Sequence, residues 1–185
     1  MPLSEEPVER SGRLVRLREL THSDAEMLDV WRADPSIVGD FNDFGMASDS
    51  LAEALAEGRR FAAEELGRLV VEGVGDGEVV GDLSWHPVRY GPNDGSRAFN
   101  FGISLHPAAR GHGYGTEAQR LLAELLFERF EVARVEASTD VENLAEQRSL
   151  EKAGFTREGV LRQAQHRRGA RHDLVVYSMV RSDLG

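Results

Sequence analysis

The run from Phe99 to Thr116 constrains the fold more than any other part of this chain. Its first half alternates, with Phe99, Phe101, Ile103 and Leu105 on one side and Asn100, Gly102 and Ser104 on the other, which predicts a strand with one buried face and one small face. Its second half, Arg110-Gly111-His112-Gly113-Tyr114-Gly115-Thr116, leads into the clearest helical stripe in the sequence. Ala118, Leu121, Leu122, Leu125, Leu126 and Phe130 share one side of that helix; Glu117, Arg120, Glu124 and Glu128 take the other. A strand, a glycine turn and a helix start in this order make an anion site. The first N–H groups of the helix have no partner and point outward, the helix end carries about half a positive charge, and glycine lets the main chain approach closely.

Spacing narrows the anion. A P-loop ends in Gly-Lys-Ser/Thr, and this loop has no lysine; a dinucleotide fingerprint needs a third glycine where Thr116 stands. A glycine-rich connection without a ligand is the plain alternative. The 185 residues contain no cysteine, so disulfides, thiolate metal sites and a cysteine nucleophile are excluded. The formal net charge of −10 disfavours nucleic acid and favours cationic partners, although residues 151–185 carry a slight basic excess. No apolar run approaches the roughly 20 residues of a membrane span, and the acidic start is unlike a signal peptide, so a soluble, cytoplasmic protein that makes no membrane contact is expected.

Periodicity gives the rest of the outline. Residues 1–12 read as a flexible lead-in, and 13–185 as one domain. A strand is predicted over Arg13–Arg18, then a capped helix from Thr21 ending before Pro35, and a second helix from Ser50 to Phe61. Between the helices lies a loop of glycines, carboxylates and aromatics, 39–45. Leu69–Val71 and Val79–Trp85 read as a hairpin around the glycines at 73–77, and 90–96 as the loop before Phe99. Val132–Ser138 is a predicted strand, Asn143–Ala153 a helix stopped by Gly154, and Gly159–Gln165 and Leu174–Val180 are late strands flanking an exposed hairpin with His166 and His172. Helices and strands are interspersed, so the class is α/β or α+β with one central sheet.

Arg110-Gly111-His112-Gly113-Tyr114-Gly115 resembles the Arg/Gln-x-x-Gly-x-Gly/Ala signature of the GNAT superfamily of N-acetyltransferases. Four further features are similar to its ribosomal-protein alanine acetyltransferase (RimJ/RimL-like) branch. These are Leu17-Arg18-Glu19-Leu20-Thr21 with Asp24-Ala25, Asn143 opening a helix, Glu151-Lys152-Ala153-Gly154-Phe155 closing it, and Asp173 with Tyr177-Ser178. The resemblance implies a mixed, mostly antiparallel sheet of about six or seven strands flanked by helices, with two parallel strands splayed at the cofactor. It implies acetyl-CoA as co-substrate and no metal, with Arg110, Gly111, His112, Gly113, Tyr114, Gly115 and Thr116 on the pyrophosphate. The backbone of Ile103, Ser104 and Leu105 would lie along the pantetheine arm, and Asn143 would touch it too. An amine acceptor is implied, a protein N-terminus or a small cationic amine, and a homodimer is compatible with it.

Acetylating an amine needs a neutral nitrogen held on the thioester carbonyl, donors for the oxyanion, and an acid for the departing thiolate. The branch carries a serine acid and a glutamate base at positions held here by Glu146 and Gln165. Glu146 therefore has two readings: a catalytic group, or the third helical residue of a capping box with Asn143 as N-cap. Asp40, Asp43, Asp82 and Trp85 are the candidate acceptor residues, the carboxylates orienting an ammonium and the indole stacking on it. Each also has a bland reading, solvated loop for Asp40 and Asp43 and core for Trp85. Transfer of another acyl group such as succinyl, or silent coenzyme A binding, are the alternatives.

Overall fold

The computed structural model describes residues 7–63 and 65–184. Among them, eight strands form one mixed sheet: β1 (Glu9–Ser11), β2 (Val15–Arg18), β3 (Gly67–Gly73), β4 (Val79–Arg89), β5 (Arg97–Leu105), β6 (Arg134–Asp140), β7 (Thr156–Arg167) and β8 (Ala170–Val180). Their order is β1-β2-β3-β4-β5-β6-β8-β7. Every neighbouring pair is antiparallel except β5 and β6.

The eighth strand falls where a lead-in was expected. Residues 9–11 pair with Arg16–Arg18, Val8 is buried, and Arg10 is held by Glu124 and Glu128 on the long helix. Three residues are too few for alternation to register, so the long-range ion pairs carry this edge. Residues 1–6 of the lead-in lie outside the described residues.

Among the described residues five α-helices flank the sheet: α1 (His22–Ala33), α2 (Pro35–Val38), α3 (Leu51–Ala56), α4 (Tyr114–Arg129) and α5 (Leu144–Ala153). The predicted second helix is shorter than expected. It runs six residues, and Phe61–Ala63 form a separate 3-10 turn. Its start is fixed from α1, where Asp29 accepts the N–H groups of Leu51 and Ala52 and the hydroxyl of Ser50. The capping of α1 is as the sequence suggests, with Thr21 and Asp24 reciprocally bonded.

The two faces are covered unequally. On one face α4 and α5 bury Leu122, Leu126 and Leu150 against Leu83, Phe99, Val135 and Tyr177 in the main core. Fully burying one such leucine contributes ~1.5–3 kcal/mol, so this stripe anchors α4 and with it the loop at its start. On the other face a smaller cluster of Ala25, Leu28, Leu51, Phe61 and Val70 seats α1 and α3 on the β3 side of the sheet. The same face of β5, β6 and β8 carries Asn100, Glu136 and Ser178 in one register row, and no helix packs there among the described residues.

Candidate active site

The parallel pair β5–β6 is short. Phe99, Asn100 and Phe101 pair with Val135, Glu136 and Ala137, and pairing stops there although β5 continues to Leu105 and β6 to Asp140. Beyond Phe101 the edge of β5 that faces β6 is open, while its other edge stays paired with Gly81–Ser84. A Cβ built on Gly102 meets nothing within 4 Å, so the small face leaves open space at this gap.

The glycine loop lies at the carboxyl ends of the two parallel strands. Gly111 (φ +81°) and Gly113 (φ +84°) are left-handed, a conformation that strains any residue with a Cβ. Gly113 is the N-cap of α4 and supplies no side chain to cap it; the Glu117 N–H donates to the Gly113 carbonyl at 3.2 Å. The preceding N–H groups have no intrahelical partner. The Arg110 side chain is engaged. Its Nε donates to the Leu105 carbonyl (3.0 Å) and another nitrogen to the Ile37 carbonyl (2.7 Å), so it clamps the loop onto β5 and α2. The Leu105 carbonyl, expected to meet a ligand arm, is occupied by that clamp. His112 stacks on Tyr114 at 5.7 Å, and both line a 290 Å³ hollow beside the loop with Trp31 and His106.

Helices α4 and α5 meet beneath the gap through polar side chains. Thr116 and Ser149 hydroxyls are 3.1 Å apart, Ser149 reaches Gln119 at 3.4 Å, and the Gln119 amide donates to Glu146 at 2.5 Å. Asn143 accepts the Glu146 N–H, as a cap should, and its own amide donates to Thr139. The predicted capping box is nevertheless incomplete. The Asn143 N–H bonds to the Asp140 carbonyl, and the Glu146 carboxyl turns away to Gln119. Burial pushes that carboxyl up to about 7, against the opposing hydrogen bond from Gln119.

The expected acceptor residues are engaged elsewhere. Asp40 and Asp43 both pair with Arg168, from the turn between β7 and β8. Asp82 is buried and paired with Arg68. Trp85 is 1% exposed and lies in the core, where a Cβ at Gly67 would fall 2.0 Å from its ring, so the glycine makes room for the indole. Asp82 and Trp85 thus belong to the sheet and the core, while Asp40 and Asp43 tie the early loop to the β7–β8 turn through exposed ion pairs; such strand and long-range pairing cannot be read from local pattern.

The sequence also hid two polar clusters. Asp140, at the end of β6, is 3% exposed and meets Arg167 at 2.6 Å and His172 at 3.0 Å; the Arg167 guanidinium lies over the Phe41 ring at 5.6 Å. Burial raises the Asp140 carboxyl, but the Glu142 N–H and Arg167 outweigh it and hold it below the usual range. His172, expected on an exposed hairpin, is half-buried in this cluster, whereas His166 is exposed. Gln165 is held by Arg167. The second cluster joins Tyr90, Arg134, Glu136 and Glu158 on the uncovered face. A charged residue inside an apolar alternation, as in Val135-Glu136-Ala137, is the one local hint of it.

The sequence model of the acetyltransferase (GNAT) domain matches residues 14–156. A Bacillus subtilis (strain 168) protein, uncharacterized N-acetyltransferase YoaA, is 27% identical over 179 residues, covering 95% of this chain and 97% of that one. A probable acetyltransferase of the GNAT family from Chromobacterium violaceum ATCC 12472 superposes with a TM-score of 0.71 at 26% identity, over 95% of this chain and 87% of the other. Mycobacterium smegmatis RimJ, solved in complex with CoA-disulfide, gives 0.72 at 23% identity, over 92% and 83% of the two chains, a likeness of fold.

Proposed function

The chain belongs to the GNAT acetyltransferase family, and from that premise we propose that it transfers acetyl from acetyl-CoA directly to a primary amine, in the manner of the RimJ-like branch and in the cytoplasm. The observation that carries the reading is the open β5 edge beside an uncapped helix start, both fixed by one run of eighteen residues. The N–H groups from Gly111 to Thr116 fit a pyrophosphate, each charged hydrogen bond contributing ~1.5–3 kcal/mol. Ile103 and Ser104 present the strand edge to an extended amide-bearing arm, and Asn143 stands at the opposite rim.

The bound thioester supplies an activated acetyl group and a thiolate leaving group. The acceptor loses a proton to solvent, its nitrogen bonds to the carbonyl carbon, the carbon–sulfur bond breaks, and the thiolate takes up a proton. Glu146 is the proton donor of this reading. Its carboxyl, held near 7 by burial, is partly protonated at neutral pH and sits one helical turn before Ser149, whose hydroxyl is close to where a Gly115 Cβ would be.

The test is a titration with acetyl-CoA followed by free-thiol release over an amine panel. Saturable binding and amine-dependent release are expected. Binding without release on any amine would make the chain a silent coenzyme A module, and faster release from succinyl-CoA would change the donor.

A further inference from the structure

The uncovered face of β5, β6, β8 and β7 holds a cavity of 660 Å³ that none of the expected site residues lines. Its floor is built by register. Ala98 and Asn100 on β5, Glu136 and Ser138 on β6, and Val176 on β8 point to the same side. Tyr90 forms one wall. The other is Glu158 to Leu161 of β7, a strand bent by bulges at Arg157/Gly159 and at Leu161/Gln165. Val160 and Leu161 are exposed, 42% and 51%, although both border this hollow.

Position and charge say what the cavity takes. Asn100 and Glu136 are paired one step before the β5–β6 gap opens, so the cavity runs down the sheet from the gap. Glu136 is 5% exposed and unevenly satisfied. Its Oε2 accepts the Tyr90 hydroxyl at 2.6 Å and Arg134 Nε at 2.7 Å, while among the described residues Oε1 has only the Asn100 amide at 3.4 Å. A carboxylate oxygen has room for two donors, so Oε1 can take one more. Arg134 also binds both oxygens of Glu158, holding that carboxyl down to about 2. One guanidinium thus faces two carboxylates, a net charge of −1 for this cluster; the other charged residue of the lining, Arg97, is paired with Glu65.

We propose that this cavity is the acceptor site and that it selects a diamine, one amino group reacting at the gap while a second, charged one donates to Glu136 Oε1. The proposal rests on the acetyl-transfer reading. Two residues of strand separate Gly102 from Asn100, about 7 Å, which sets the spacing of the two nitrogens. The methylene chain between them lies on the apolar side chains of Ala98, Val176 and Val160.

The experiment measures thiol release from acetyl-CoA with 1-aminobutane, 1,4-diaminobutane, 1,5-diaminopentane and an alanine-initiated tripeptide, in the intact protein and two variants. The diamines are expected to exceed the monoamine by about tenfold or more in kcat/KM, the range for one hydrogen bond to a charged group. Glu136→Gln should bring that ratio near one, with acetyl-CoA affinity unchanged. Val160→Trp, at a position 42% exposed, should raise the KM for diamines. Equal rates for mono- and diamine, a tripeptide faster than either, or a preference that survives both variants would overturn the diamine site. Acetyl-CoA binding with no release on any amine overturns it too. Failure to bind acetyl-CoA at all would instead sink the acetyl-transfer reading beneath it.

Discussion

On the helix side of the β5–β6 gap, the groups offered to a ligand are main-chain atoms from one stretch, Gly102 to Thr116. On the other side the polar groups are side chains gathered from distant parts of the chain and engaged with one another: Phe41 with Arg167, Tyr90 with Glu136, Asp40 with Arg168, 128 residues apart. The difference teaches what each side can recognise. Backbone donors at a helix start read any anion of the right shape, and they depend on glycine rather than on charge. Paired side chains read the sign and spacing of charges, and they depend on every partner being in place.

The largest expected effect separates the sides by stability. Asp140→Asn leaves Arg167 buried beside a neutral partner, and breaking a buried pair costs about 3–5 kcal/mol. Denaturant unfolding should show that loss. A loss below about 1 kcal/mol would mean the cluster is as solvent-screened as a surface pair. Next, Glu146→Gln should lower kcat by roughly 100-fold with acetyl-CoA affinity kept, if the carboxyl delivers a proton. The same group gives a pH signature. Its folded pKa of about 7 lies above the ordinary 4.5, so the folded state holds the proton longer and stability falls as pH rises from 4.5 to about 7. Glu146→Gln should flatten that fall; an unchanged slope would place its cause elsewhere.

Smaller effects test the helix side. Glu117 in the first turn of α4 accepts the N–H groups of Arg13, Leu14 and Val15 at 3.0, 2.6 and 2.8 Å, tying β2 to the glycine loop. Glu117→Ala should cost about 2 kcal/mol of unfolding free energy, since the part-buried Leu14 and Val15 donors lose their acceptor. The smallest change is expected at Arg168. Arg168→Asn removes two exposed ion pairs, worth at most about 1 kcal/mol, and replaces a residue at φ +50° by one that tolerates the turn better. Little net shift in melting temperature should follow, and a large drop would mean those pairs hold the early loop in place.

Legibility in the sequence follows the same division. The strand at Phe99, the loop of Gly111 and Gly113 and the stripe of α4 were readable because each is a local pattern with a local cause: alternation, left-handed glycine, a 3.6-residue period. The Asn143 cap was readable too, but not that Glu146 turns to Gln119 on another helix. Aromatic and acidic character says nothing of depth, so the choice between core and acceptor site for Trp85 and the pairing of Asp82 were not legible; Gly67 and Arg68, on the neighbouring strand, decide them. Arg110 looked like part of the anion site from its place in the motif, yet its side chain spans back to Ile37. The cavity on the uncovered face needed the strand order β6-β8-β7, which no window of sequence contains.

On this reading an anion-bearing donor is held by the main chain at the start of α4. Titration calorimetry with acetyl-CoA on the intact protein and on Gly113→Glu tests it most directly. The substitution puts a side chain at φ +84°, with its Cβ 3.3 Å from Leu14, and a negative charge at the helix start. Saturable binding by the intact protein and a loss of at least roughly 100-fold in the variant, with the far-ultraviolet circular dichroism retained, is the predicted result. Equal affinity in the two proteins would contradict it.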